Sequence, residues 1–262
     1  MSAVETPDDQ RRQFPKVRSG LPLSAPLDWL RLGADDLRAG GSASLFYGAC
    51  FAVGATVLFL AFRHAVELVI AIATGSMLIG PFLAMGLYET SRRREAGEPL
   101  SLGSTLVAWK RNIRCFSIYS MILIVLYLIW ARASLVIFAL FYQGGMPSLG
   151  SFMRQLLQFD NLEFMLAYLV VGAIFASLVF AFSVVSIPMM LDRGEDSITA
   201  MLASFLALTR NLPLMLVWAG LIVLLTVLGF ATAFLGLIVT MPLVGHATWH
   251  AYRALIEPAA AA

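Results

Sequence analysis

His246 and His250 lie four residues apart, hence on one face of a helix, a spacing that offers two imidazoles to a single metal ion. Two ligands leave such a site incomplete. His64 follows the first apolar run and falls on the other side of the bilayer, so completion would rest on Glu89 and Met85, which stand where His250 and His246 stand in an earlier copy of the same pattern. The plainer alternative is a pair of interfacial histidines bonded to backbone carbonyls or to Glu89. No metal or other cofactor is expected, His246 and His250 being the weak candidates if one is held.

Other residues with chemistry cluster around prolines. Glu89 follows Tyr88 at the end of an apolar run containing Pro81, and Asp192 follows Pro188 in the same way. Glu89 can pair with Arg92 or Arg93 one turn on, a surface ion pair worth about 0.2 to 0.5 kcal/mol. Trp249 lies between the two histidines. Arg132 is the only basic residue between Cys115 and Tyr142. It comes 16 residues after Phe116, about 24 Å up a helix, where it snorkels to lipid phosphates or pairs with an anionic ligand. Tyr88, Glu89, Arg132, Asp192, His246, Trp249 and His250 are therefore the candidates for a polar path. No phosphate-cradling glycine loop, nucleophile elbow or ladder of intramembrane charges is present. No catalytic residue is assigned, and neither an enzyme nor a nucleic-acid role is favoured.

These residues must be held by membrane helices. Between Asn211 and Trp249 the chain runs 39 residues without Asp, Glu, Lys or Arg, about twice the roughly 20 that one crossing helix needs. Four more such runs precede it, at Ser44 to Phe62, Leu68 to Tyr88, Cys115 to Tyr142 and Phe164 to Leu191. Hydrophobic residues make up 60% of the chain and charged ones 13%, which excludes a water-soluble domain. The runs are continuously apolar, so helices rather than barrel strands are expected. The fold class is an all-α membrane protein of six transmembrane helices, approximately 44–62, 68–90, 115–139, 164–190, 212–230 and 233–252, within a membrane domain over 21–257. A disordered tail over 1–20 and a short tail over 258–262 flank it.

The net charge of +2 hides an asymmetry. With six spans, fifteen basic residues fall on one side, and only Arg63, Arg132 and Arg154 fall on or toward the other. Both termini then face the cytoplasm, in a multi-pass membrane protein whose basic face attracts anionic lipid heads. Cys50 and Cys115 sit where no oxidising compartment favours a disulfide and read as small buried hydrophobes.

The chain repeats itself. GPFLAMGLYE around Pro81, SIPMMLDRGE around Pro188 and TMPLVGHATWHAY around Pro242 end the even-numbered spans, and the first and third align at an offset of 161, with Gly75 on Gly236, Tyr88 on Trp249 and Arg92 on Arg253. Ahead of each odd-numbered span lies a half-apolar stretch, Leu27 to Ala39, Leu102 to Arg114 and Ile198 to Arg210, expected to be an interfacial helix. The first has Leu27, Leu30, Ala34 and Leu37 at helical spacing opposite Asp28, Arg31, Asp35 and Arg38. The unit is therefore surface helix, outward span, return span, and the molecule three such hairpins. Proline inside a span frees a carbonyl that neighbours must satisfy, which places Pro81, Pro188 and Pro242 structurally at the bundle interior. The segment Gln143 to Glu163 is expected to hold a helix on the outer leaflet, and the turn between Gly229 and Gly236 to be tight.

The strings GPFLAMGLYETSRRREAGEPLSL, IPMMLDRGED and MPLVGHATWHAYRALI resemble the hallmarks of the bacterial integral membrane family catalogued as domain of unknown function 2189, over nearly the whole chain from Leu21. The resemblance implies six spans and matches Pro81, Gly86, Tyr88, Glu89, Arg92, Pro188, Asp192, Pro242, Gly245, His246, Trp249 and His250 to recurrent family motifs. Some members are labelled cytochrome c oxidase subunit I-like, yet such subunits carry histidine ligands on several helices, and this chain offers one pair on one side. The family brings no activity with it. The leading expectation is a passive permease-like or lipid-handling protein. An alternative is a scaffold or assembly factor that gathers a membrane-protein partner through small-residue faces such as Gly48 with Ala52. A metal- or haem-binding membrane protein is the third.

Overall fold

A computed structural model describes residues 14–64, 69–141 and 162–258, without side chains at 62, 64 and 69–79. Along the chain run helices α1 (Ala25–His64), α2 (Val69–Glu95), α3 (Leu102–Leu106), a 3-10 turn (Ala108–Arg111), α4 (Ile113–Phe141), α5 (Leu162–Ser183), α6 (Ser186–Arg193), α7 (Ser197–Arg210), α8 (Leu212–Ala231) and α9 (Leu237–Leu255). Among the described residues there is no strand, only an isolated antiparallel bridge of Val17 with Ile256. The expectations for His64 as a side chain, for residues 1–13 and for an outer-leaflet helix over Gln143 to Glu163 lie largely outside the described residues.

Among the described residues, four stretches are long and apolar enough to cross a membrane: Ala25–Ala61, Ile113–Phe141, Leu162–Arg193 and Leu212–Ala231. Of the two other expected spans, α2 has 27 residues and includes residues 69–79, whose side chains are not described, and α9 has 19 residues and is not among the four. In α9 the reason is visible: Thr240, His246, Thr248, His250 and Arg253 interrupt the apolar sequence.

The three half-apolar stretches expected at the surface join the helices that follow them by different means. In α1 the helix kinks at Gly41 (φ 49°, ψ −122°), a conformation that only glycine adopts without strain. The kink separates the charged elbow Ala25–Gly40 from the uncharged span that follows. The second elbow is α3 plus the 3-10 turn, with Ser101 Oγ accepting from the Ser104 N–H at 3.3 Å. The third is α7, whose N-cap Asp196 accepts from the N–H groups of Ile198 and Thr199 at 2.9 and 3.0 Å. Asparagines close the second and third elbows against the segments ahead of other elbows: Asn112 Nδ2 donates to the Glu195 carbonyl at 3.1 Å, just before α7, and Asn211 Nδ2 to the Arg18 carbonyl at 2.8 Å, before α1.

The prolines act differently too. Pro81 and Pro242 lie inside continuous helices, whereas Pro188 coincides with a break: α5 stops at Ser183 and α6 begins at Ser186. A proline ring collides with the carbonyl four residues earlier and offers it no N–H, here that of Val184. In α9 the carbonyl so freed is that of Ile238, and Gly48 of α1 covers it. A Cβ on Gly48 would stand 2.1 Å from that oxygen, so only a glycine lets the two backbones approach this closely. All three prolines are buried.

The core gathers at the elbow end, where α2, α6 and α9 meet. Trp218, Trp249, Tyr119, Tyr252, Phe116, Met85, Met189, Met190 and Met215 are fully buried there. The tail expected to be disordered through Gly20 is corrected over Phe14–Gly20: Arg18 N–H donates to the Leu255 carbonyl and Glu257 N–H to that of Lys16, at 2.8 and 3.0 Å, and Val17 is buried. At the far end α8 turns into α9 through Ala233 and Phe234, both with positive φ (51° and 69°), with Thr232 Oγ1 accepting from Gly236 N–H at 2.7 Å.

Candidate functional site

Elbow one, the end of α2 and the end of α9 enclose a chain of buried polar groups. His246 is fully buried, and each ring nitrogen has a serine hydroxyl 2.8 Å away: Ser44 of α1 at Nε2 and Ser91 of α2 at Nδ1. A neutral imidazole has one donor and one acceptor nitrogen, so the two hydroxyls satisfy it completely. One turn on, His250 Nε2 lies 2.9 Å from Asp36 Oδ2, and Arg94 donates to the other oxygen of Asp36. Asp36 is 2% exposed. Burial by itself pushes its carboxyl up, but the hydrogen bonds from His250, Ser91 and Arg94 outweigh it and hold the carboxyl down at about 2. The order serine, histidine, serine, aspartate resembles a nucleophile with its base, yet Ser44 is fully buried.

Glu89 does not complete the histidine pair, contrary to the first expectation; Asp36, Ser44 and Ser91 face the imidazoles instead. The carboxylate of Glu89, 2% exposed, is held by three guanidinium groups. Arg92 donates twice, from Nε at 2.7 Å and Nη2 at 2.9 Å; Arg93 Nε donates at 2.8 Å and Arg111 Nη1 at 3.3 Å. The surface pair foreseen with Arg92 or Arg93 is thus a buried hub that also fastens the second elbow to α2. Tyr88 beside it is buried, and Met85 is fully buried in the core rather than poised as a ligand.

A third group joins α9 to α6 and α2. Tyr252 Oη donates to Asp192 at 2.6 Å, Arg193 Nε donates to Tyr252 Oη at 3.1 Å, and Arg253 reaches both Asp192 (3.5 Å) and Glu95 (2.8 Å). Trp249 Nε1 donates to Glu95 at 3.1 Å. Of the seven polar-path candidates, six therefore collect at the elbow end, each bonded or packed into the structure. Arg132 stands apart: it is exposed on α4, with no polar partner among the described residues. Among those residues no three His, Cys, Asp or Glu side chains gather as a metal site.

Sequence reasoning missed Asp36, Ser44 and Ser91. A signal existed for Asp36, because Trp29, Gly33, Asp36 and Gly40 share one helical face, and all but Gly40, which is half-buried, are buried. A carboxylate on a face of tryptophan and glycine is one that must find a partner inside. The Gly48 and Ala52 face proposed for a partner protein is corrected: both are buried, and Gly48 is spent on the Ile238 carbonyl.

Residues 68–192 match the model of the family described as predicted integral membrane protein (DUF2189). The match is narrower than the resemblance from Leu21 onward, and the motif carrying His246 and His250 lies beyond it. Neither a curated protein nor a solved structure matches the chain.

Proposed function

We propose that this membrane protein, similar over residues 68–192 to the DUF2189 family, is a passive permease-like or lipid-handling protein, with a polar mouth where its three proline-bearing return segments meet. In this reading all six expected segments span, as three hairpins, in a bacterial inner membrane with both termini and all three elbows cytoplasmic. The observation that carries it is the convergence of acids with histidine, tyrosine and tryptophan side chains from separate segments at one end: Asp36 with His250, Asp192 with Tyr252, and Glu95 with Trp249. Burying such groups costs more than packing apolar side chains of the same volume. Intramembrane or near-membrane ionisable groups gathered in this way mark a path more often than a scaffold.

Tyr88, Glu89, Asp192, His246, Trp249 and His250 then surround the mouth, closed by their mutual bonds, and Arg132 belongs to the opposite interface. The scaffold alternative loses its small-residue face and keeps only the outer segment as a docking element. Purified protein in liposomes should move a small solute or transfer a lipid faster than protein-free vesicles, and Glu89→Gln with His250→Ala should change that rate. Equal rates with and without protein, across solutes and lipids, would sink the reading. A stoichiometric co-purifying membrane protein would turn it toward the scaffold.

A further inference from the structure

The three elbows differ in charge. From Glu89 to Arg114 the sequence carries six basic residues against three acidic, whereas Ala25 to Gly40 and Asp192 to Arg210 each carry two against three. The excess positive charge of this face therefore sits on the second elbow. Its acids are already engaged: Glu89 by three arginines, Glu98 by Arg92 and Arg93, and Glu95 by Arg253. Three cations remain available. Lys110 and Arg114 are exposed and have no carboxylate partner among the described residues. Arg111 reaches Glu89 at only 3.3 Å with its side chain 51% exposed.

Apolar side chains surround these cations. Leu106, Val107 and Ile113 are exposed, although each lies within four residues of Lys110. Lys110 sits over the ring of Trp109, 5.7 Å from its centroid. A cationic patch flanked by exposed aliphatic residues and an indole suits the boundary between headgroups and acyl chains. A free anion would have no use for the aliphatic part. We propose that the second elbow is a binding site for the phosphate of an anionic lipid, contacted by Lys110, Arg111 and Arg114, with Leu106, Val107 and Ile113 among the acyl chains. Arg111 can then exchange Glu89 for the lipid phosphate, which links lipid occupancy to the buried hub at the end of α2. The inference rests on the elbow lying in the membrane surface and not on any transported solute.

The test titrates the detergent-solubilised full chain with short-chain phosphatidylglycerol, short-chain phosphatidylcholine or inorganic phosphate, reading bound lipid by native mass spectrometry and apparent affinity by tryptophan fluorescence. Phosphatidylglycerol should bind. Combining Lys110→Gln, Arg111→Gln and Arg114→Gln should weaken it on the order of a hundredfold, from the contribution of each basic side chain near an anionic surface. The control combination Arg31→Gln, Arg38→Gln and Arg210→Gln should stay within about twofold. Should the first combination not fold, Lys110→Glu, at an exposed position without a carboxylate partner among the described residues, carries the same comparison. Equal losses in both combinations, or retained affinity in the first, would overturn the assignment; inorganic phosphate binding as tightly as the lipid would overturn the lipid as ligand. Lipid binding that persists in protein without liposome flux leaves this inference standing and removes the transport reading alone.

Discussion

Two helix pairs in this molecule are packed by opposite means. α1 and α9 approach through small residues: a Cβ on Gly33 would lie 2.7 Å from the Ala247 backbone nitrogen, and one on Gly48 2.1 Å from the Ile238 carbonyl. That closeness leaves room for short polar links, Ser44 to His246 and Asp36 to His250. α4 and α5 meet instead through large rings, Trp130 with Tyr168 at 5.2 Å, Phe138 with Phe164 at 5.0 Å and Trp130 with Phe175 at 5.8 Å. Beyond Leu123, α4 buries only Ile137, and α5 buries only Phe164 and Ala181. Lipid competes with apolar contacts but not with backbone approach or buried hydrogen bonds. The first pair is therefore specific and intolerant of added volume, and the second adaptable.

That contrast can be broken most directly by adding one methyl group to each pair. Gly48→Ala must push α1 off the Ile238 carbonyl, and a loss of about 3 kcal/mol is expected from such overpacking, read by denaturant unfolding in detergent. Should Gly48→Ala unfold like the wild type, the close approach does not hold the pair.

Next in size is the buried acid. Asp36→Asn should cost about 2 kcal/mol at neutral pH, because a carboxyl held at about 2 against an ordinary value of 3.8 stabilises the fold by that order. The sign follows from the downward displacement. The contribution is complete above the ordinary value and disappears as pH falls through the folded one, so wild type and variant should converge in melting temperature between about pH 4 and 2. Parallel curves down to pH 2 would contradict the bonding of Asp36.

Trp130→Ala removes the hub of the aromatic pair and should cost about 1 kcal/mol, since ring contacts contribute that much beyond their area, while leaving the elbow-end chemistry and its pH response intact. Smallest is Gly172→Ala, where the new Cβ would rest 3.4 Å from Trp130, close to an ordinary contact. A change within about 0.5 kcal/mol is expected, and a loss matching that of Gly48→Ala would erase the distinction between the two pairs.

How far the sequence reached depends on which physical signal each feature leaves. Helical elements around Ser44 to Phe62, Cys115 to Tyr142 and Phe164 to Leu191 were legible because hydrocarbon imposes length and composition locally. The elbows were legible because Arg111-Asn112 and Arg210-Asn211 end them in sequence. Glu89 was visible as an acid beside arginines, but its burial and its third arginine, Arg111, were not: 22 residues of chain separate Glu89 from Arg111, and only the fold of the second elbow closes that distance. The pairing of His246 with Ser44 spans 202 positions and leaves no periodic trace.

By itself, then, the sequence determined an all-helical membrane protein, the places of its half-apolar stretches and the prolines within its apolar helices, because each follows from local hydrophobicity, charge or backbone chemistry. The tertiary structure alone decided that Asp36 rather than Glu89 answers His250, that Gly48 covers the carbonyl left by Pro242, and that Val17 lies against Ile256. Those outcomes depend on which distant surfaces come within hydrogen-bonding or van der Waals reach, and that is fixed by packing rather than by neighbours along the chain.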